Sequence, residues 1–162
     1  MNTIPSVDLR EFTSGEPARK SAFVSQIGNA FENIGFVALS GHFLDDSLVE
    51  KLYGEVEKFF ALPGEVKMQY EIPGIGGQRG YTSFGKEHAK GRKEGDLKEF
   101  WHFGQYVEDN PDLEAEYPRN VFVEELPEFN KVGKQAYKML EKTAQYVLSA
   151  LALNLGLEEN NV

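Results

Sequence analysis

The sequence predicts an α+β chain, and three observations carry that reading. Apolar residues recur at three-and-four spacing over two long stretches, short apolar runs sit between glycines and prolines, and the order of elements is mixed rather than strictly alternating. The chain has 162 residues, enough for one domain or a large piece of one. Twelve Phe and seven Tyr within 41% hydrophobic residues argue for a folded core rather than disorder.

Taken in order, Ile4 to Leu9 alternates loosely, and Pro5 confines it to a strand start or a sheet edge. A polar loop, Thr13 to Pro17, follows. From Ala18 to Asn33 the residues Phe23, Ile27, Ala30, Phe31 and Ile34 mark one helical face, which Gly35 ends. Phe36 to Leu39 is a short apolar run bounded by Gly35 and Gly41, expected as a strand buried on both faces. Asp45 or Asp46 caps a second helix with the face Leu48, Val49, Leu52, Tyr53, Val56, Phe59 and Phe60, stopping at Leu62-Pro63. A helical turn from Glu65 to Gln69 is expected after it.

Ile72 to Gly80 is rich in glycine and proline and reads as loop, and Arg79 through Phe84 reads as extended. The charged run from Lys86 to Asp96 is expected as an exposed hairpin or loop. Leu97 to Val107 is a predicted strand whose faces differ, with Leu97, Glu99, Trp101 and Phe103 on one side and Lys98, Phe100, His102 and Tyr106 on the other. Pro111 to Pro118 reads as a surface connection. From about Leu126, the residues Phe129, Val132, Ala136, Leu140, Ala144, Val147, Leu151 and Leu155 keep helical spacing to Gly156. That predicts a helix of roughly 28 residues, about 42 Å long.

Composition excludes several functions. A formal charge of −9 disfavours phosphate backbones and anionic membranes as partners, so no nucleic acid and no membrane partner is expected. Zero cysteines exclude disulfides, iron–sulfur clusters and thiolate zinc sites. No basic, apolar leader opens the sequence, and a cytoplasmic location is expected. No Gly-x-Ser-x-Gly elbow supports hydrolase chemistry.

Any metal would need histidine and carboxylate. None of His42, His88 and His102 has an acidic residue two positions on, the spacing that places two ligands on one side of a strand. No metal ligand and no catalytic residue is therefore assigned. Gly74, Gly76, Gly77 and Gly80 lack the Lys-Ser or Lys-Thr of a phosphate loop, leaving a flexible approach to a pocket or a plain surface loop. Arg79 there could clamp a substrate carboxylate, and Tyr81 could add a hydroxyl. His102 reads either as a hydrogen-bonded sheet histidine or as a pocket-lining one. Arg79, Tyr81 and His102 are the candidate substrate-binding residues. The acidic pairs Glu94 with Asp96 and Glu124 with Glu125 are read as solvated surface.

Several segments occur in one family's order: Ile4-Pro5-Ser6-Val7-Asp8-Leu9, Gly35 to His42, Phe59-Phe60-Ala61-Leu62-Pro63, Arg79 to Gly85, Asp96 to Gly104 and Ala152 to Leu157. Together they resemble the N-terminal region of the isopenicillin N synthase-like branch of iron(II)/2-oxoglutarate-dependent dioxygenases. Ser40-Gly41-His42 departs from the family's Asn-His-Gly, so no role is carried over to His42. The resemblance implies a helical layer with a long supporting helix and the first strands of a double-stranded β-helix, or jelly roll, with the barrel incomplete in this chain. It implies that the iron-holding His-x-Asp and distal His and the 2-oxoglutarate-holding Arg-x-Ser lie beyond Val162. The parent is then an oxidoreductase acting on a small-molecule substrate with Fe(II) and 2-oxoglutarate, most simply a hydroxylase, and neither cofactor is expected on this fragment. A 2-oxoglutarate-independent oxidase of the same family, a non-catalytic binding or scaffold module, and an unrelated histidine metal enzyme are the alternatives. If barrel strands are missing, apolar faces at Phe36 to Leu39 and Leu97 to Phe103 are expected to be exposed.

Overall fold

The structure is a computed structural model that describes residues 3–88, 91, 94–107 and 111–159. It is α+β, in the order β1 (Ser6–Asp8), α1 (Leu9–Phe12), α2 (Pro17–Asn33), β2 (Ala38–Ser40), α3 (Asp46–Phe60), α4 (Gly64–Lys67), a 3₁₀ turn (Met68–Tyr70), β3 (Gly80–Thr82), β4 (Phe100–His102), α5 (Pro111–Glu116) and α6 (Pro127–Asn154). The chain divides into two compact units, Met1–Asp45 with Lys138–Val162, and Asp46–Tyr137.

In the first unit, β1 and β2 pair in parallel, Ser6 with Ala38 and Asp8 with Ser40, with α2 in the connection between them. The inward residues Val7, Leu9, Phe12, Phe23, Ile27 and Ala150 form one core. Phe12 meets the Phe23 ring at 5.5 Å between centroids, a tilted contact that aromatic quadrupoles favour. Helix α1 was not foreseen. Its cause is Asp8, whose carboxylate accepts from the Arg10 N–H at 2.9 Å and so caps the turn. A side-chain hydrogen bond from Arg10 also draws the Asp8 carboxyl down to about 2.

Strand β2 corrects one expectation. Val37 and Leu39 pack on the core, but Phe36 is 67% exposed and Ala38 also faces outward, so the run is covered on one face rather than both. Its partner among the described residues is β1 alone, which leaves the other edge of β2 unpaired.

The second unit is built on an aromatic cluster. Phe59, fully buried on α3, stacks on Phe129 of α6 at 5.1 Å and meets Trp101 edge-on at 4.7 Å. Tyr70, Tyr81, Phe103 and Val123 close the cluster. Removing such a ring costs about 3–5 kcal/mol. The long helix α6 has the expected 28 residues.

The expected strand over Leu97 to Val107 is cut to Phe100–His102. Its C-terminal end stops because Gly104 spends both backbone groups on one side chain: its N–H donates to Asn120 Oδ1 at 2.8 Å and its carbonyl accepts from Nδ2 at 2.9 Å. Leu97 lies outside the strand and is 94% exposed, whereas Trp101 and Phe103 are covered by the cluster. Lys86 to Asp96 lies partly outside the described residues. The bridge of His88 with Gly95 nonetheless gives it a hairpin-like pairing. Pro111 to Glu116 forms a short helix rather than an irregular connection.

Asn120→Ala leaves two buried backbone groups of Gly104 without partners and is expected to cost about 2–4 kcal/mol. The denaturation midpoint measured against the parent chain checks it, and an unchanged midpoint would remove Asn120 as the strand terminator.

Candidate functional site

Strands β3 and β4 are antiparallel, pairing Gly80 with His102, Tyr81 with Trp101 and Thr82 with Phe100. Alternation gives the pair two faces. Tyr81 and Trp101 turn into the aromatic cluster, while Thr82 and Phe100 turn to the opposite side. Only glycine fits at position 80, where φ is +73° and a Cβ would lie 2.5 Å from the Tyr70 carbonyl oxygen.

The inward face is fixed by charge. Lys67 is buried at the end of α4, and its ammonium donates to both oxygens of Glu99, at 3.0 and 2.8 Å, and to the Phe60 carbonyl at 3.2 Å. Tyr81 donates its hydroxyl proton to Glu99 at 2.5 Å. Burial pushes the Glu99 carboxyl up, but hydrogen bonds from Lys67 and Tyr81 outweigh it and leave it below its ordinary value. Burial, and then the bond to Glu99, raises the Tyr81 hydroxyl well above its ordinary value. Nearby, Tyr70 donates to Glu125 at 2.5 Å and accepts from the Glu124 N–H at 3.0 Å, so this acidic pair holds a core tyrosine besides facing solvent.

The opposite face opens on a cleft of about 410 Å³, lined by Glu71, Pro73, Gly77, Thr82, Lys86 and Phe100 among others. Its roof is the glycine stretch. Gly77 has φ +73°, and a Cβ there would lie 2.7 Å from Thr82 Oγ1. His102 holds this stretch through Nδ1, 2.5 Å from the Gly77 carbonyl oxygen; since a carbonyl only accepts, Nδ1 carries the proton. Glu71 pairs with Lys86 at 2.9 Å. Burial raises the Glu71 carboxyl, yet hydrogen bonds from Ser83 and Lys86 bring it below its ordinary value.

The three predicted residues therefore take three different places. Tyr81 is a wall residue of the cleft whose hydroxyl is spent on Glu99. His102 is exposed and braces the glycine stretch. Arg79 is 8% exposed, lies against Gly104, and donates Nη1 to the Gln78 carbonyl at 2.7 Å. Its Nε has no partner, and no carboxylate pairs with it among the described residues. Glu71, Thr82, Lys67 and Glu99 were not singled out from sequence. The assignment of Glu99 to the Trp101 face was the one available signal.

Residues 4–125 match the family model described as non-haem dioxygenase in morphine synthesis, N-terminal. The chain belongs to this family, the N-terminal domain of the 2OG-Fe(II) oxygenases. This dioxygenase N-terminal domain is 25% identical to the 2-oxoglutarate-dependent dioxygenase imqE of Aspergillus flavus, over 98% of this chain and 50% of that protein. A 2OG-Fe(II) oxygenase family protein from Caulobacter crescentus superimposes with a TM-score of 0.83 at 34% identity, over 99% of this chain and 51% of that one. A full-length Neurospora crassa protein, solved in complex with alpha-KG, shares the fold at a TM-score of 0.78 and 22% identity, over 99% of this chain and 48% of that one. The chain spans about half the length of the curated relatives it matches.

The family implies iron, and the residues here do not fit it. No group of three His, Asp or Glu side chains able to hold a metal ion converges among the described residues, and His42, His88 and His102 are all exposed. No helix of the described residues is long and apolar enough to cross a membrane.

Lys67→Met strands the Glu99 carboxylate and is expected to cost about 3–5 kcal/mol, most of it recovered in the Lys67→Met/Glu99→Gln double variant. Chemical denaturation of the two variants checks this. Because the folded Glu99 carboxyl lies below its ordinary 4.5, its contribution is present above pH 4.5 and lost as pH falls through its folded value. The Tyr81 contribution is present below its ordinary 10.0 and lost as pH rises through its raised value. A midpoint-versus-pH curve that stays flat from neutral down through the acid range would sink the Glu99 part. Thr82→Val replaces a buried hydroxyl that has no partner and is expected to stabilise the chain by about 1 kcal/mol, read as a raised Tm.

Proposed function

We propose that this chain is the N-terminal half of an iron(II)- and 2-oxoglutarate-dependent oxygenase, cytoplasmic, that hydroxylates a small molecule. The iron ligands and 2-oxoglutarate site then belong to a double-stranded β-helix domain following Val162, for which β1–β2 and β3–β4 are starting strands. The observation that carries this reading is the family match over residues 4–125 in a chain half as long as its relatives. Two two-stranded sheets, with the exposed apolar residues Phe36 and Leu97 just ahead of β2 and β4, support it further.

In this reading the chain's own residues do not perform the oxidation. When bound in the completed protein, iron and 2-oxoglutarate supply the oxidising chemistry, and this half shapes the approach of substrate. Tyr81 and His102 act as positioning residues, one fixing β3 and the other the glycine stretch. Arg79 takes an acidic group of the substrate, since a buried guanidinium with an unpartnered Nε is matched by an oxyanion.

The complete reading frame is expected to encode His-x-Asp and a later His after Val162, and its product to convert 2-oxoglutarate to succinate with iron. A frame that continues without those ligands, or a product with no such turnover, would overturn the proposal. Within that product, Arg79→Lys is expected to lower kcat/KM for a carboxylate-bearing substrate roughly tenfold, mostly through KM.

A further inference from the structure

Two buried oxygens on residues that line the cleft have no partner: Glu71 Oε2 and Thr82 Oγ1. Thr82 is 6% exposed, so its hydroxyl is not supplied by bulk water. The other Glu71 oxygen is engaged by Lys86. Thr82 belongs to the face of β3 away from the aromatic cluster, and Glu71 is the residue just after Tyr70.

The chemistry of these atoms restricts what can satisfy them. An ionised carboxylate only accepts hydrogen bonds, so its partner must donate. Glu71 remains ionised because Ser83 and Lys86 outweigh its burial. The unpartnered Thr82 hydroxyl likewise can accept from a donor. A carboxylate or phosphate ligand would be repelled by Glu71, while a primary ammonium offers three protons and the opposite charge. The other lining groups are apolar or already committed. Phe100, Ile72 and Pro73 offer a flat apolar wall, and Glu87 is paired with Lys98, whose ammonium lies 5.4 Å from the Phe100 ring centre. A volume of about 410 Å³ suits a small molecule. Gly74, Gly76 and Gly77 line the cleft through backbone alone, without side chains to obstruct it.

We infer that this cleft binds small arylalkylamines, the ammonium donating to Glu71 Oε2 and Thr82 Oγ1 and the ring lying against Phe100 and Pro73. This rests on the reading of the segment as a substrate approach and adds an ammonium-binding cleft to the acidic-group site at Arg79, which does not line that cleft. Lys86 is the internal competitor for Glu71, which gives the inference an unusual signature.

The test is an amide-shift titration of the 162-residue chain, without iron or 2-oxoglutarate, using benzylammonium chloride, benzyl alcohol and sodium benzoate in turn. Benzylammonium is expected to shift Gly76, Gly77 and Thr82 saturably, and the other two probes not to at the same concentrations. Glu71→Gln is expected to weaken benzylammonium about tenfold or more, and Thr82→Val several-fold. Lys86→Gln is expected to tighten it, since it frees the carboxylate. A merely structural Glu71 would make Glu71→Gln and Lys86→Gln weaken binding together, because both break the same ion pair, and that result overturns the inference. So do equal responses to all three probes and the lack of any saturable shift. Thr82→Val and Lys86→Gln keep the test decisive if Glu71→Gln does not fold. A missing iron-ligand motif downstream would overturn the proposed oxygenase and leave these titrations unaffected.

Discussion

The second unit depends on one buried ion pair. Lys67 and Glu99 come from α4 and from the residue just before β4, and neither charge survives burial without the other. Tyr81 completes the arrangement from β3, so the pair joins three segments that are distant in sequence. Because side chains on a strand alternate, anchoring Tyr81 inward obliges Thr82 to face outward, and Trp101 inward obliges Phe100 outward. The cleft is thus the reverse side of the ion pair.

Much of the fold was legible where a pattern is long and local. Helices α2 and α6 came within a residue or two of their boundaries because apolar spacing persists over many turns, and face assignment held for Glu99, Trp101 and Phe103 against Phe100 and His102. What escaped was decided by single side chains acting at a distance or out of pattern. Asn120 captures Gly104 sixteen residues away and shortens β4, which no alternation of apolar residues could disclose. Asp8 turned the end of a strand into a short helix. Phe36 belongs to an apolar run, and such a run reads the same whether one face or both are covered.

The candidate site was legible as a segment more than as a set of contacts. Arg79 to Phe84 was recognisable from its glycines and its extended character, and the cleft does open there. Among the described residues the buried side-chain polar atoms without a partner are on Glu71, Arg79, Thr82 and Trp101, and of these only Arg79 was foreseen as a polar site residue, since charge is visible in sequence whereas lack of a partner is not.

Trp101 is the sole tryptophan of the chain, and it belongs to the Asp46–Tyr137 unit, edge-on to Phe59 and Phe129 with its Nε1 buried. Its fluorescence therefore speaks for that unit alone, while far-ultraviolet circular dichroism sums the helices of both. Melting the chain under the two signals separates a cooperative molecule, whose curves coincide, from one whose halves let go in turn.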